Sequence, residues 1–238
     1  MSLATLPFSA AFLLALRLFL PVAVSIAAYG LVWGVLAGQA GLSPLEVLLM
    51  SGLVFAGASQ FVALESWTPG DLPILAIIVT TGIVNLRMLL MTATLRPLTT
   101  GLPWWQAAAS VYLVADENWA MTMAQAGKPH GTLGFLVGSG VCSWLAWTGS
   151  TLAGRLLGAV IDRPEAYGLD FAFTATFIAL LLGMWKGRGD LVPWLVAALA
   201  AIVTARLVPG NWSIIVGGLL GSFVGALLET RKVAAHVA

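Results

Sequence analysis

Polar interruptions divide this chain into long apolar blocks. Charge, proline and glycine clusters separate blocks at about 18–39, 45–65, 72–95, 103–124, 132–157, 170–186, 190–207 and 212–229, most of them close to the roughly twenty apolar residues that cross a bilayer as a helix. The pattern predicts an all-α integral membrane protein, a polytopic bundle of about 7–8 transmembrane helices within one transmembrane domain spanning residues 1–238. Discontinuous helices and an inverted repeat are both admissible in such a bundle. The residues before Arg17 are expected to lie along the interface. With no basic segment ahead of them, they do not resemble a cleaved signal peptide.

Helix entries are legible at several block edges. Ser43-Pro44-Leu45-Glu46 has the form of a capping box with proline at the first helical position. Asp71, Asp170, Asp190 and Asn211 stand where N-caps are expected. With eight full spans and the amino terminus inside, Arg17, Lys128, Lys186, Arg188, Arg231 and Lys232 fall on the inner side. Arg96, Arg155, Arg163 and Arg206 then fall outside, a weak positive-inside preference.

Composition agrees with the pattern and narrows the function. Hydrophobic residues make up 60% of the chain and charged residues 9%, with a net charge of +1, which gives no basis for binding nucleic acid. A single cysteine, Cys142, excludes an internal disulfide, and His130 and His236 lie too far apart to suggest a metal site. No cofactor motif is present. No serine carries a nearby base on a recognisable motif, so the chain does not read as an enzyme.

The candidate chemistry lies where small and polar residues interrupt the apolar blocks. Gly57, Ala58, Ser59 and Gln60 sit midway through the second block, either to pack helices closely or to break a helix and expose its ends to a solute. In the third block Thr80, Thr81, Gly82 and Asn85 precede Arg87 and suggest a second interrupted segment. Asp116 and Glu117 follow an apolar run in the fourth block, where a carboxylate at mid-bilayer costs roughly 2.5–3.5 kcal/mol and needs a partner, a proton or water. A cavity joining these features suits a zwitterion. Helix N-termini or Arg87 would receive its carboxylate, and Asp116 or backbone carbonyls its ammonium. Phe55, Phe61 and Trp119 are placed to wall an apolar side chain. Asp116 is the first choice for a coupling or ion-pair role, with Glu117 second and Arg87 as the partner.

Two readings of other classes stay open at this point. One is a non-transporting scaffold whose small residues serve helix association, and the other is a carrier of a different small solute. A faint internal echo joins Gly57-Ala58-Ser59 to Gly138-Ser139-Gly140.

Across most of its length the chain resembles the AzlC family, the large subunits of branched-chain amino acid exporters associated with azaleucine resistance. The resemblance rests on Arg17, Pro21, Gly30, Trp33 and Gly34, on Gly41-Leu42-Ser43 and on Met50-Ser51-Gly52 through Phe55-Ala56-Gly57-Ala58-Ser59-Gln60-Phe61. It continues through Asn85-Leu86-Arg87, Asp116-Glu117 and Leu169-Asp170-Phe171-Ala172 to Phe177-Ile178-Ala179-Leu180. It implies a secondary transporter in the cytoplasmic membrane that exports valine, leucine, isoleucine and methionine, working with a small AzlD-type membrane subunit. After Asn85-Leu86-Arg87 the family often has a histidine and then a tyrosine, where this chain has Met88 and Met91. That departure bears on specificity or coupling.

Overall fold

The computed structural model describes residues 6–67, 70, 72–129, 131–158, 178, 182, 185, 187–208 and 212–237. Every described regular element is helical. In chain order they are α1 (Phe8–Gln39), α2 (Pro44–Leu49) with a π-helical turn (Met50–Val54), α3 (Gly57–Glu65), α4 (Ile74–Thr94) and α5 (Arg96–Thr99). There follow α6 (Trp104–Tyr112), α7 (Asp116–Ala124), α8 (Leu133–Gly158), a 3₁₀ turn (Arg188–Asp190), α9 (Leu191–Leu207) and α10 (Trp212–Val237). Among the described residues three helices are long and apolar enough to cross a membrane, at Phe8–Gln39, Ile74–Thr94 and Arg188–Leu207.

The chain divides into two compact units, one of residues 1–72 with 84–173 and the other of residues 73–83 with 174–238. In the first unit α1 and α8 form a parallel pair held together by glycines. A Cβ at Gly134 would meet the backbone of Phe8, one at Gly138 that of Phe12, one at Gly154 that of Leu31 and one at Gly158 that of Val35. Reciprocally, Gly30, Gly34 and Gly38, spaced four apart on one face of α1, admit Ser150, Thr151 and Arg155 of α8. Lipid supplies no hydrophobic drive for association, so this close backbone approach and its dispersion contacts hold the pair together. Arg155 then lies along Gly38 and donates Nε to the Leu42 carbonyl at 2.6 Å, tying the end of α8 to the turn after α1.

From that turn the Ser43 capping box forms as expected. Ser43 Oγ accepts from the Glu46 amide at 3.2 Å, and Glu46 Oε2 accepts from the Ser43 amide at 2.7 Å. α2 then descends α8 from the level of Arg155 to that of Thr148 and Trp144, whose side chains lie 3.6–3.9 Å from a Cβ built on Gly52. α4 runs the same way, because Asn85 meets Ser59 while Leu95 packs with Leu136 near the start of α8.

Several sequence expectations change here. Residues 8–16 are the opening turns of α1 rather than an interfacial segment, since the apolar run continues through Arg17 and Pro21 without a stop signal. The third block is one unbroken helix: the polar group of Asn85 is turned toward a neighbour and leaves the backbone of α4 intact. Gly138-Ser139-Gly140 likewise lies inside continuous α8, where glycine serves packing. The expected caps at Asp71, Asp170 and Asn211 and the stretch 169–177 fall outside the described residues, whereas Asp190 stands at the N-cap of α9.

In the second unit α9 and α10 pack antiparallel, with Gly217 on Ala201 and Ala197, Gly221 on Ala197 and Pro193, and Gly225 on Pro193. A groove of about 430 Å³, lined by Asp190, Trp194 and Ser222 among others, runs along this pair.

Candidate functional site

The second and fourth apolar blocks are each broken in two and folded back. In the second block, Phe55 adopts a left-handed conformation (φ 46, ψ 48) between the π turn and α3. A straight helix would separate Ser51 from Gln60 by about 13 Å, yet Gln60 Nε2 donates to Ser51 Oγ at 3.3 Å. The chain therefore reverses at Phe55 and Ala56. A bulky residue at positive φ costs on the order of 1–3 kcal/mol, and here the surroundings impose it: Phe55 is buried and its ring lies 6.3 Å from that of Tyr112.

The fourth block repeats the device from the other end. α6 rises from the turn after Leu98 to Tyr112, which meets Trp144 in the middle of α8. α7 then returns, placing Met121 against Ala11, Ala15 and Phe135 and leading to Pro129, whose carbonyl accepts from the Leu6 amide at 2.7 Å. The reversal lies at Leu113–Ala115 and docks on α8 at Gly140, where a Cβ would sit 2.9 Å from Asn118 Nδ2.

Each reversal is stabilised by one fully buried amide side chain. Gln60 bridges its hairpin to Ser51 and accepts from Trp147 Nε1 at 2.9 Å. Asn118 accepts from the Ala115 amide at 2.6 Å and donates to the Leu113 carbonyl at 2.9 Å, satisfying backbone groups that the break would leave unpaired. Asn118→Leu is expected to orphan both groups and cost about 2–4 kcal/mol, seen as a lower thermal midpoint in detergent.

Both hairpins direct a helix N-terminus toward the middle of α8. Gly57 opens α3 against the Trp147 ring, where a Cβ would sit 3.1 Å from the ring edge, and Asp116 opens α7. α4 passes both. Asn85 Nδ2 donates to Ser59 Oγ at 3.2 Å, while Ser59 Oγ donates to the Ala56 carbonyl at 2.9 Å. Two residues further along α4, Arg87 Nη2 pairs with Asp116 Oδ2 at 2.8 Å. Two polar atoms here, Asn85 Oδ1 and Arg87 Nε, are buried without a hydrogen-bond partner among the described residues.

The expected site residues therefore separate into groups. Gly57, Ser59, Asn85, Arg87 and Asp116 gather around the two half-helix starts, with Ala58 half-buried in the first turn of α3. Gln60 lies behind them as a hairpin bridge. Phe61 is fully buried against Tyr29, at 5.1 Å between ring centroids, in a cluster with Trp33 and Trp147. Trp119 turns to α4, donating Nε1 to the Met91 carbonyl at 3.1 Å and to Thr94 Oγ1 at 2.9 Å. Glu117 is exposed. Sequence reasoning passed over Tyr112, Trp144 and Trp147, whose signal is an aromatic ring with a polar tip inside an apolar block.

The helical architecture and opposed half-helices define a polytopic membrane protein with the build of a solute carrier. Residues 21–161 match the AzlC protein family, and the chain belongs to that family. It is 31% identical over 171 residues to an uncharacterized membrane protein of Archaeoglobus fulgidus, covering 71% of this chain and 73% of the relative. It is 27% identical over 232 residues to the inner membrane protein YgaZ of Escherichia coli, covering 94% of each. It is also 25% identical over 229 residues to the branched-chain amino acid transport protein AzlC of Bacillus subtilis, covering 94% of this chain and 86% of that one. These relatives support a membrane transport role. No solved structure matches the chain.

Proposed function

We infer that the protein is a secondary transporter that exports branched-chain amino acids (valine, leucine, isoleucine and, by extension, methionine) across the cytoplasmic membrane. It is a single multi-pass transporter domain acting with a small AzlD-type membrane subunit. The substrate class rests on the Bacillus subtilis relative, a branched-chain amino acid transport protein, and the export direction and the AzlD-type partner rest on the family resemblance. Two contacts of α4 support the site: Asn85 meets Ser59 in the first turn of α3, and Arg87 pairs with Asp116 at the start of α7.

A zwitterion has complementary needs. Its carboxylate is suited to the backbone N–H groups at the start of α3 and to the unpartnered Arg87 Nε. Its ammonium is suited to Asn85 Oδ1 and Asp116. Asp116 already forms an ion pair, so the reading requires Arg87 to divide its donors between Asp116 and the substrate.

The test is efflux of preloaded labelled valine and leucine from proteoliposomes, with and without an AzlD-type subunit, under imposed pH gradients. Saturable efflux that depends on the subunit and on the gradient is the expected result. A well-folded pair that moves neither amino acid in either direction would put the scaffold, or a carrier of a different solute, ahead of this reading.

A further inference from the structure

The tips of the two hairpins are joined by a small polar clasp. The Tyr112 hydroxyl, at the end of α6, donates to the Gly52 carbonyl in the π turn of the other hairpin. Trp144 Nε1, from continuous α8, donates to that same carbonyl at 3.1 Å and to the Tyr112 oxygen at 3.1 Å. A π turn shifts the helical bonding register and is frequent at functional sites. Gly52 lies within it, three residues before the left-handed Phe55 that packs on the Tyr112 ring.

This join differs from the α1–α8 interface. Tyr112 is 40% exposed, and the hairpins meet here through a hydroxyl and a tilted ring pair rather than interlocked backbones. The two hairpins enter from opposite ends of the bundle, so the clasp stands where a path from one end would meet a path from the other. The strained Phe55 supplies a backbone position that gains from rearranging when the clasp opens.

The geometry points to Tyr112 as the gating residue of the solute path, holding the two tips together in a closed state through Gly52. This builds on the transport reading. Releasing the hydroxyl separates the tips and opens the first turn of α3 to one end of the bundle, while Trp144 stays on α8 and restores the closed register. Tyr112 is thus a positioning residue that controls access to the substrate groups.

The experiment uses the full chain reconstituted in vesicles, with Cys142→Ala as background and Ala58→Cys as the reporter at the tip. The probe is a membrane-impermeant maleimide, and Lys128→Cys is an exposed control far from the clasp. Tyr112→Phe removes one hydroxyl and keeps the ring, so Ala58→Cys labelling should accelerate about fivefold to tenfold, the scale of one lost hydrogen bond. Lys128→Cys labelling and the thermal midpoint should be unchanged. Trp144→Phe is expected to act in the same direction and decides the matter if Tyr112→Phe does not fold. Unchanged Ala58→Cys labelling in a folded variant, or equal acceleration at both reporters, overturns the gate. Because labelling needs no substrate, a failure of amino acid efflux would count against the transport reading without altering this result.

Discussion

Gly34→Leu is expected to prevent the chain from accumulating in folded form. A Cβ at this position would lie 2.8 Å from the Arg155 amide nitrogen and 2.9 Å from the Thr151 carbonyl carbon, both backbone atoms of α8. Neither can step aside as a flexible side chain would, so α1 and α8 must separate, at a cost of at least about 3 kcal/mol. The loss would extend beyond the pair, since α2 descends α8 and both hairpin reversals dock on it. Gly149→Leu on α8 is the control, because no atom of the described residues lies within 4 Å of a Cβ there. Monodispersity in detergent and resistance to limited proteolysis should fall sharply for Gly34→Leu and hold for Gly149→Leu. Similar behaviour of the two variants would remove the glycine face from the account of the fold.

The second large effect concerns transport rather than folding. Arg87→Gln and Asp116→Asn each leave one charge unpaired. The side chains are 38% and 43% exposed in the isolated chain, so each change should alter stability by only about 1 kcal/mol. If the pair is also the zwitterion site, each variant should lower the initial rate of valine efflux about tenfold to a hundredfold, the scale of a lost charge-assisted contact. The double variant Arg87→Gln with Asp116→Asn separates the two roles. Both charges are gone, so stability should return to near the native value while efflux stays low. Recovery of efflux in the double variant would make the pair a structural brace and place the substrate elsewhere.

The features legible in the sequence are the ones governed by local chemistry. The Ser43–Glu46 box needs four consecutive residues and forms as written. An interruption near Gly57–Gln60 was legible because tiny and polar residues together are costly in a lipid-facing helix; the structure puts the break just before them, at Phe55 and Ala56, and makes them the first turn of α3, with Gly57 packed on Trp147. The third block misled because Thr80, Gly82 and Asn85 carry the same signal, yet threonine and asparagine can turn to a neighbouring helix without disturbing the backbone.

The reversals themselves were not legible. α6 and α7 have nine residues each, and the periodicity of so short an apolar run does not distinguish a hairpin from half of a straight span. The left-handed Phe55 packs on Tyr112, a partner distant in sequence, whereas local preference disfavours that conformation for phenylalanine. Asp116 was legible as a costly carboxylate, whereas its place at the first turn of a half-helix, favoured by the macrodipole, needed coordinates. Arg87 was legible as a partner for Asp116 from its charge alone, and the 2.8 Å contact brings the two together.

The parallel α1–α8 pair also sets a timetable for synthesis. Leu42 and Arg155, joined at the end of this pair, are 113 residues apart in the chain. At about 5–20 residues per second, α8 emerges roughly 6–23 seconds after α1. For that interval α1 stands in the bilayer with its Gly30, Gly34 and Gly38 face uncovered, a surface shaped for a backbone that does not yet exist. Until α8 arrives, the nascent chain depends on the insertion machinery or on lipid to keep that face from the wrong helix.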